Sequence, residues 1–179
     1  MGCSYSTLNR IETEQRFKPD DILYLTQSWN MIKAHEFQKF TQQILIRTIN
    51  QSPSFRKLCM SKVNVDGNNY DFGQHDSCLR DDKSWQMGLP DYSLQVIYTV
   101  DELLSIISNK NHSKIQFESF NLIEKDMFIG NETLLIIKQN ILEMLREQLP
   151  ILNYNFTTDV ERAWNKFLTF IIEYMSKNK

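Results

Sequence analysis

Apolar residues in this chain recur at intervals of three and four, the spacing that places side chains on one face of an α-helix. The interval is clearest near the two ends, where the residues that follow it are Ile22, Leu25, Trp29, Ile32, Val160, Trp164, Phe167, Ile171 and Met175. Strict alternation of apolar and polar residues, which is typical of a half-buried strand, does not persist over a useful length. The chain has 179 residues, of which 41% are hydrophobic, so it can bury a core. The pattern predicts an all-α domain.

Proline, glycine and capping residues divide the chain into about six to eight predicted helices. Pro19 followed by Asp20 and Asp21 predicts the first helix start, because proline suits the first helical position and a carboxylate caps free amide groups. Pro53 predicts the start of a short helix containing Phe55. Three further apolar stripes lie between the first and the last helix. The second helix has Phe37, Phe40, Ile44 and Thr48 on one face. A later helix has Tyr92, Val96, Val100, Leu103 and Ile107, and the one before the last has Leu134, Ile137, Ile141, Leu145 and Leu149.

The later helix ends are predicted from the same residue types. A weaker helical segment near residues 115–127 is predicted to end at Gly130, and Pro150 to close the helix that follows. Thr158 or Asp159 is the predicted cap of the last helix. Residues 60–83 are polar and rich in turn formers, which predicts a long surface loop.

The first residues of the chain fit a lipid-acceptor pattern. After removal of Met1, Gly2 with a hydroxyl at Ser6 matches the acceptor pattern for N-myristoylation, and the adjacent Cys3 is a site for palmitate. Two acyl chains hold a protein stably to a bilayer, whereas one does so only marginally. No polybasic segment follows, and no apolar run approaches the ~20 residues that span a bilayer.

These observations predict a flexible acylated N-terminal segment, residues 1–18, followed by one domain, residues 19–179. The predicted partner is membrane lipid, reached through the acyl chains. The predicted location is the cytoplasmic face of a membrane, or otherwise the cytoplasm, since no signal peptide is present.

Charge and motifs exclude several functional classes. A net charge of -2 gives no general attraction to nucleic acid, and three cysteines do not form a secreted disulfide framework. The motifs of phosphate-binding loops, nucleophile elbows and zinc proteases are missing, so no enzyme activity is predicted. His75 and Cys78 are three residues apart, but two donors do not complete a zinc site, and both are interpreted as solvated loop residues.

Several segments, in their order along the chain, resemble the globin family, and in particular the divergent globins of invertebrates such as nematodes. The relevant features are Ser28-Trp29 on the first helix, Pro53 before a short helix, residues 145–150 as the end of a G helix, and residues 163–175 as an H helix. The family includes acylated members attached to membranes. The resemblance implies a globin-like helical fold over about residues 20–177.

The resemblance also implies haem b as a cofactor and oxygen or another diatomic gas as a ligand, for sensing or redox signalling. Globins bind haem iron through a proximal histidine and often carry a distal one. By resemblance, the positions that correspond to the haem pocket here are Cys59, Trp85, Gly88, Ile123 and Glu124. The proximal position lies near Ile123 or Glu124 and the distal position near Gly88, so neither expected histidine is found.

A second alignment remains open. Phe72-Gly73-Gln74-His75 has a form common around a distal histidine, and His112 would then be the proximal ligand. His75 and His112 are therefore the candidate metal ligands, while His35 is expected at the junction of the first two helices. The alternative function is a haem-free globin-fold module, tethered to the membrane, that binds an unknown protein partner or acts in sensing.

Overall fold

The computed structural model describes residues 16–35, 37–57, 100–105, 107–108 and 130–177. Four helices make up most of this part, namely α1 (Pro19–His35), α2 (Phe37–Gln51), α3 (Asn131–Ile151) and α4 (Thr158–Lys177). Residues 53–57 and 100–105 are also helical. Since the described ranges contain no strand, the prediction of an all-α fold is confirmed for this part of the chain.

The start of α1 is confirmed, and the capping carboxylate is Asp21. Pro19 occupies the first helical position, and the carbonyl of Lys18 accepts from the amide of Ile22 over 3.2 Å. The amide of Lys18 donates to Asp21 Oδ2 over 3.1 Å. A carboxylate at the third helical position thus reaches back to the cap residue, so an amide with no partner inside the helix is satisfied.

The cap of α4 lies one residue before the predicted position. Thr157 Oγ1 accepts from the amide of Val160 over 3.3 Å, and the carbonyl of Thr157 accepts from Glu161 over 3.0 Å. The prediction of Thr158 or Asp159 as the cap was therefore wrong. Both residues lie inside the first turn, where the acidic side chain of Asp159 complements the positive end of the helix dipole.

The two ends of α3 also differ in detail from the prediction. Gly130 is the cap that precedes α3, with an extended backbone, and the segment it was predicted to end lies outside the described residues. Pro150 lies within the last turn of the helix rather than after it. The helix ends where Asn153 adopts a left-handed conformation, with a φ of 60°, and the amide of Tyr154 donates to the carbonyl of Leu149 over 2.9 Å.

The four helices pack in antiparallel pairs around a common core. In the pair of α3 and α4, Lys138 donates to Thr169 over 2.8 Å, and Arg146 pairs with Glu161 further along. Helix α2 packs antiparallel on α3, and α1 packs on α4. None of the helices among the described residues is both long enough and apolar enough to cross a bilayer.

The predicted apolar stripes form this core. Among the described residues, the buried apolar side chains from the four helices include Leu25, Trp29, Ile32, Phe40, Ile44, Leu134, Leu145, Leu149, Val160, Trp164 and Phe167. The rings of Trp29 and Trp164 lie 6.0 Å apart, and Trp164 donates to Ser28 Oγ over 2.8 Å. The aromatic residue of the first stripe therefore meets the aromatic residue of the last.

The packed part of the chain includes two residues that the sequence placed in the flexible segment. Phe17 is only 4% exposed and lies edge-on to Phe167 and Phe170, at centroid distances of 6.3 and 5.6 Å. Arg16 forms an ion pair with Glu173 over 2.6 Å. A single phenylalanine between charged residues shows no periodicity, so the sequence did not reveal this contact. Residues 1–15 lie outside the described residues.

The helix predicted from about Ser84 to Ile107 is described only near its end. Val100 and Leu103 are buried there, and Ile107 packs against the core, in agreement with the predicted stripe. Asp101 accepts from Trp29 Nε1 over 2.7 Å and from Lys33 over 2.8 Å, which attaches this segment to α1. The predicted loop over residues 60–83 and the predicted helical segment over residues 115–127 lie outside the described residues.

A buried carboxylate joins the start of α1 to the middle of α4. Asp21 is 2% exposed and accepts from Lys166 Nζ over 2.7 Å, with Arg162 at 3.8 Å. Burial alone would raise the pKa of Asp21. The hydrogen bonds from Lys166 and from the amide of Lys18, together with the charges of Lys166 and Arg162, outweigh burial and leave the pKa below its ordinary value.

Replacing Asp21 by Asn should lower the free energy of unfolding at neutral pH by about 1–3 kcal/mol, because Lys166 loses a charged acceptor in a partly buried position. Urea denaturation of the variant measures this loss. Asp20, the exposed neighbour on the same turn, provides the matched control. Asp20→Asn should cost less than about 1 kcal/mol.

Acid should reduce the difference between wild type and Asp21→Asn. A carboxyl whose pKa is lower in the folded state stabilises the fold above its unfolded pKa, and the contribution is lost as the pH falls through the folded value. The gap in unfolding free energy should therefore narrow below about pH 4. A gap that widens on acidification would contradict the assigned role of Asp21.

Candidate functional site

The residues predicted to carry function lie outside the described part of the chain. They are Gly2, Cys3, Cys59, His75, Trp85, Gly88, His112, Ile123 and Glu124. The short helix predicted to start at Pro53 is described as far as residue 57, and Phe55 within it is buried.

The one histidine among the described residues is His35. It lies exposed in the last turn of α1, at the predicted junction with α2. The described residues contain no group of three or more His, Cys, Asp or Glu side chains placed to bind a metal ion. His35 is therefore a surface residue at a helix end.

A line of polar side chains lies between α2 and α3, and we term it the polar seam. Its members are Thr48, Ser52, Thr133 and Asn140, all buried, together with Ser54 at its edge. Thr48 and Ser52 are four residues apart on α2 and its continuation, while Thr133 and Asn140 are seven apart on α3. These spacings place each pair on one helix face.

At one end of the seam, an amide and a hydroxyl connect the two helices. Asn140 Nδ2 donates to Thr48 Oγ1 over 3.1 Å, and Thr48 Oγ1 donates to the carbonyl of Ile44 over 2.8 Å. Asn140 is 0% exposed, and its Oδ1 meets no donor among the described residues. The hydroxyl proton of Thr48 is already used, so turning the amide over would not give Oδ1 a donor.

At the other end, three hydroxyls converge where α2 ends and α3 begins. Ser52 Oγ lies 2.9 Å from Thr133 Oγ1 and 3.1 Å from Ser54 Oγ, and Ser54 lies 3.3 Å from Thr133. Ser52 also caps residues 53–57, because its Oγ accepts from the amide of Phe55 over 3.2 Å. Pro53 then occupies the first helical position, as the sequence predicted.

This hydroxyl cluster brings two distant parts of the chain together. One described range ends at Lys57 and another begins at Gly130, and both of these ends are close to Ser54 and Thr133. Cys59 follows Lys57 by two residues, and Glu124 precedes Gly130 by six. Two of the segments that carry predicted pocket positions therefore connect to the fold at one place.

The seam itself has no chemistry of a catalytic centre. Its side chains are hydroxyls and one amide, and none of the five is a base that would activate a hydroxyl as a nucleophile. Beside the seam, the charges of Arg47 and Glu147 are used in an ion pair with contacts of 3.0 and 2.7 Å. The hydrogen bond from Arg47 lowers the pKa of Glu147. The seam therefore acts by positioning helices and their connections.

The seam was missed by the sequence reasoning, although a signal was present. Thr48 was grouped with an apolar stripe because it lies in phase with Phe40 and Ile44. A threonine in phase with apolar residues, matched by Asn140 within the stripe of α3, is the pattern of a buried polar contact. The sequence does not show that Thr48 contacts Asn140, because this pairing depends on how α2 packs on α3.

Neither a protein-family model nor a curated protein matches this chain.

The polar seam can be tested by a double-mutant cycle. Thr48→Val should lower the free energy of unfolding by about 1–3 kcal/mol, because the amide of Asn140 loses its acceptor while buried. Asn140→Leu keeps the branched side-chain shape, although leucine is the larger residue, and it removes an oxygen without a donor among the described residues together with the amide that needs Thr48, so its cost should be smaller. Urea denaturation of both single variants and the double variant measures the coupling.

In the Asn140→Leu background, Thr48→Val should cost much less than in the wild type, because the amide that needed the hydroxyl is gone. Additive effects would contradict a direct contact between the two side chains. Thr169→Val on α4 is the control, since it removes a different interhelical hydrogen bond and should not couple to Asn140.

Proposed function

We propose that this chain is a membrane-anchored, globin-like domain that binds haem b and a diatomic gas such as oxygen, for sensing or redox signalling. The proposal takes its fold and cofactor from the resemblance of the helices to globins. It takes the anchor from Gly2 and Cys3. Three features of the chain and its described residues support it.

The observation that carries the proposal is the packing of the segments that resemble globin helices. Trp29, on the first helix, contacts Trp164, on the helix that resembles an H helix, with the rings 6.0 Å apart. Residues 145–150, which resemble the end of a G helix, belong to α3, and α3 packs antiparallel on α4. The segments that share the resemblance therefore share one core, as a globin-like fold requires.

The hydroxyl cluster supports a pocket built from both neighbouring segments. Cys59 and the pair Ile123 and Glu124 occupy pocket positions by resemblance, and their segments join the fold beside Ser54 and Thr133. A pocket assembled from separate segments needs their attachment points fixed relative to each other. The cluster does this with hydrogen bonds of 2.9 to 3.3 Å.

The iron ligand must come from outside the described residues. Haem iron needs at least one strong axial donor, and imidazole is the usual one in this family. His35 lies exposed at the end of α1, which leaves His75 and His112 as the candidates. In the proposal one of these holds the iron, and bound haem supplies the metal centre to which a gas molecule binds.

A spectrum tests the cofactor. Protein expressed with haem available should show a strong Soret band that shifts on reduction and again when carbon monoxide is added. Replacement of the ligating histidine, either His75→Ala or His112→Ala, should abolish or strongly shift that band. His35→Ala is the matched control and should leave the spectrum unchanged, because His35 is exposed at a helix end.

Two results would contradict the proposal, and they exclude different parts of it. An unaltered spectrum in the variant that lacks both His75 and His112 would exclude them as iron ligands. No Soret band from a folded, helical protein would exclude haem binding altogether.

The second candidate function is a haem-free globin-fold module that binds a protein partner at the membrane or acts in sensing. The observation that favours it is the set of residues at the expected ligand positions. Ile123 or Glu124 takes the place of the proximal histidine, and Gly88 that of the distal one. Stoichiometric Soret absorption in the native protein would exclude this candidate.

The anchor is tested by cell fractionation. Gly2→Ala removes the myristate acceptor and should move most of the protein from the membrane fraction to the soluble fraction. Cys3→Ser should give a partial shift, because a single myristoyl chain binds membranes only marginally. Thr7→Ala serves as the control, because Thr7 lies just outside the acceptor pattern that ends at Ser6, and it should leave the distribution between the fractions unchanged. Gly2→Ala protein that stays on membranes would contradict the anchor.

A further inference from the structure

We draw no further inference here: the strongest candidate, the apolar surface patch at the turn between α3 and α4, where Ile151 is 70% exposed and Leu152 and Tyr154 are half-buried, carries nothing because nothing in the described part of the chain shows what covers it.

Discussion

The contact between Trp29 and Trp164 is the interaction on which the described fold depends most. It joins the first helix to the last, across most of the length of the chain, and both rings are buried. Each indole also needs an acceptor for its N–H group, and each has one, Asp101 for Trp29 and Ser28 for Trp164. Because a buried indole without an acceptor is costly, the pair fixes its polar neighbours as well as the core.

The polar seam has the complementary role on the other side of α3. The aromatic contacts between α1 and α4 tolerate small shifts, since burial of apolar area is not directional. The hydrogen bond of Asn140 to Thr48 is directional, and it sets the position of α2 along α3. The aromatic contacts of α1 with α4 therefore contribute buried apolar area, whereas the polar seam sets the register of α2 on α3. The register in turn positions the ends of the chain segments that connect to these helices.

The sequence predicted the elements of the described part well and their contacts poorly. The starts at Pro19 and Pro53 followed from local chemistry, because proline and a capping side chain act within one turn. The cap at Thr157 was displaced by one residue, since threonines adjoin there and either pattern is locally acceptable. Phe17 and Asn140 depended on which helices meet, and periodicity within one helix carries no information about its partner.

The predicted pocket and anchor residues remain predictions of the sequence alone. Their geometry belongs to parts of the chain outside the described residues, so the fold bears on them only through the points of attachment. Those points have a topological consequence. The hydroxyls of Ser52, Ser54 and Thr133 hold the two ends of residues 58–129 together. Residues 100–108 lie inside this span and belong to the core, because Leu103 is buried and Asp101 accepts from the indole of Trp29. The cost of closing a chain segment grows by only about 0.6 kcal/mol for each doubling of its length. A change of length on either side of residues 100–108 therefore costs the four-helix frame little, provided that Leu103 and Asp101 keep their contacts.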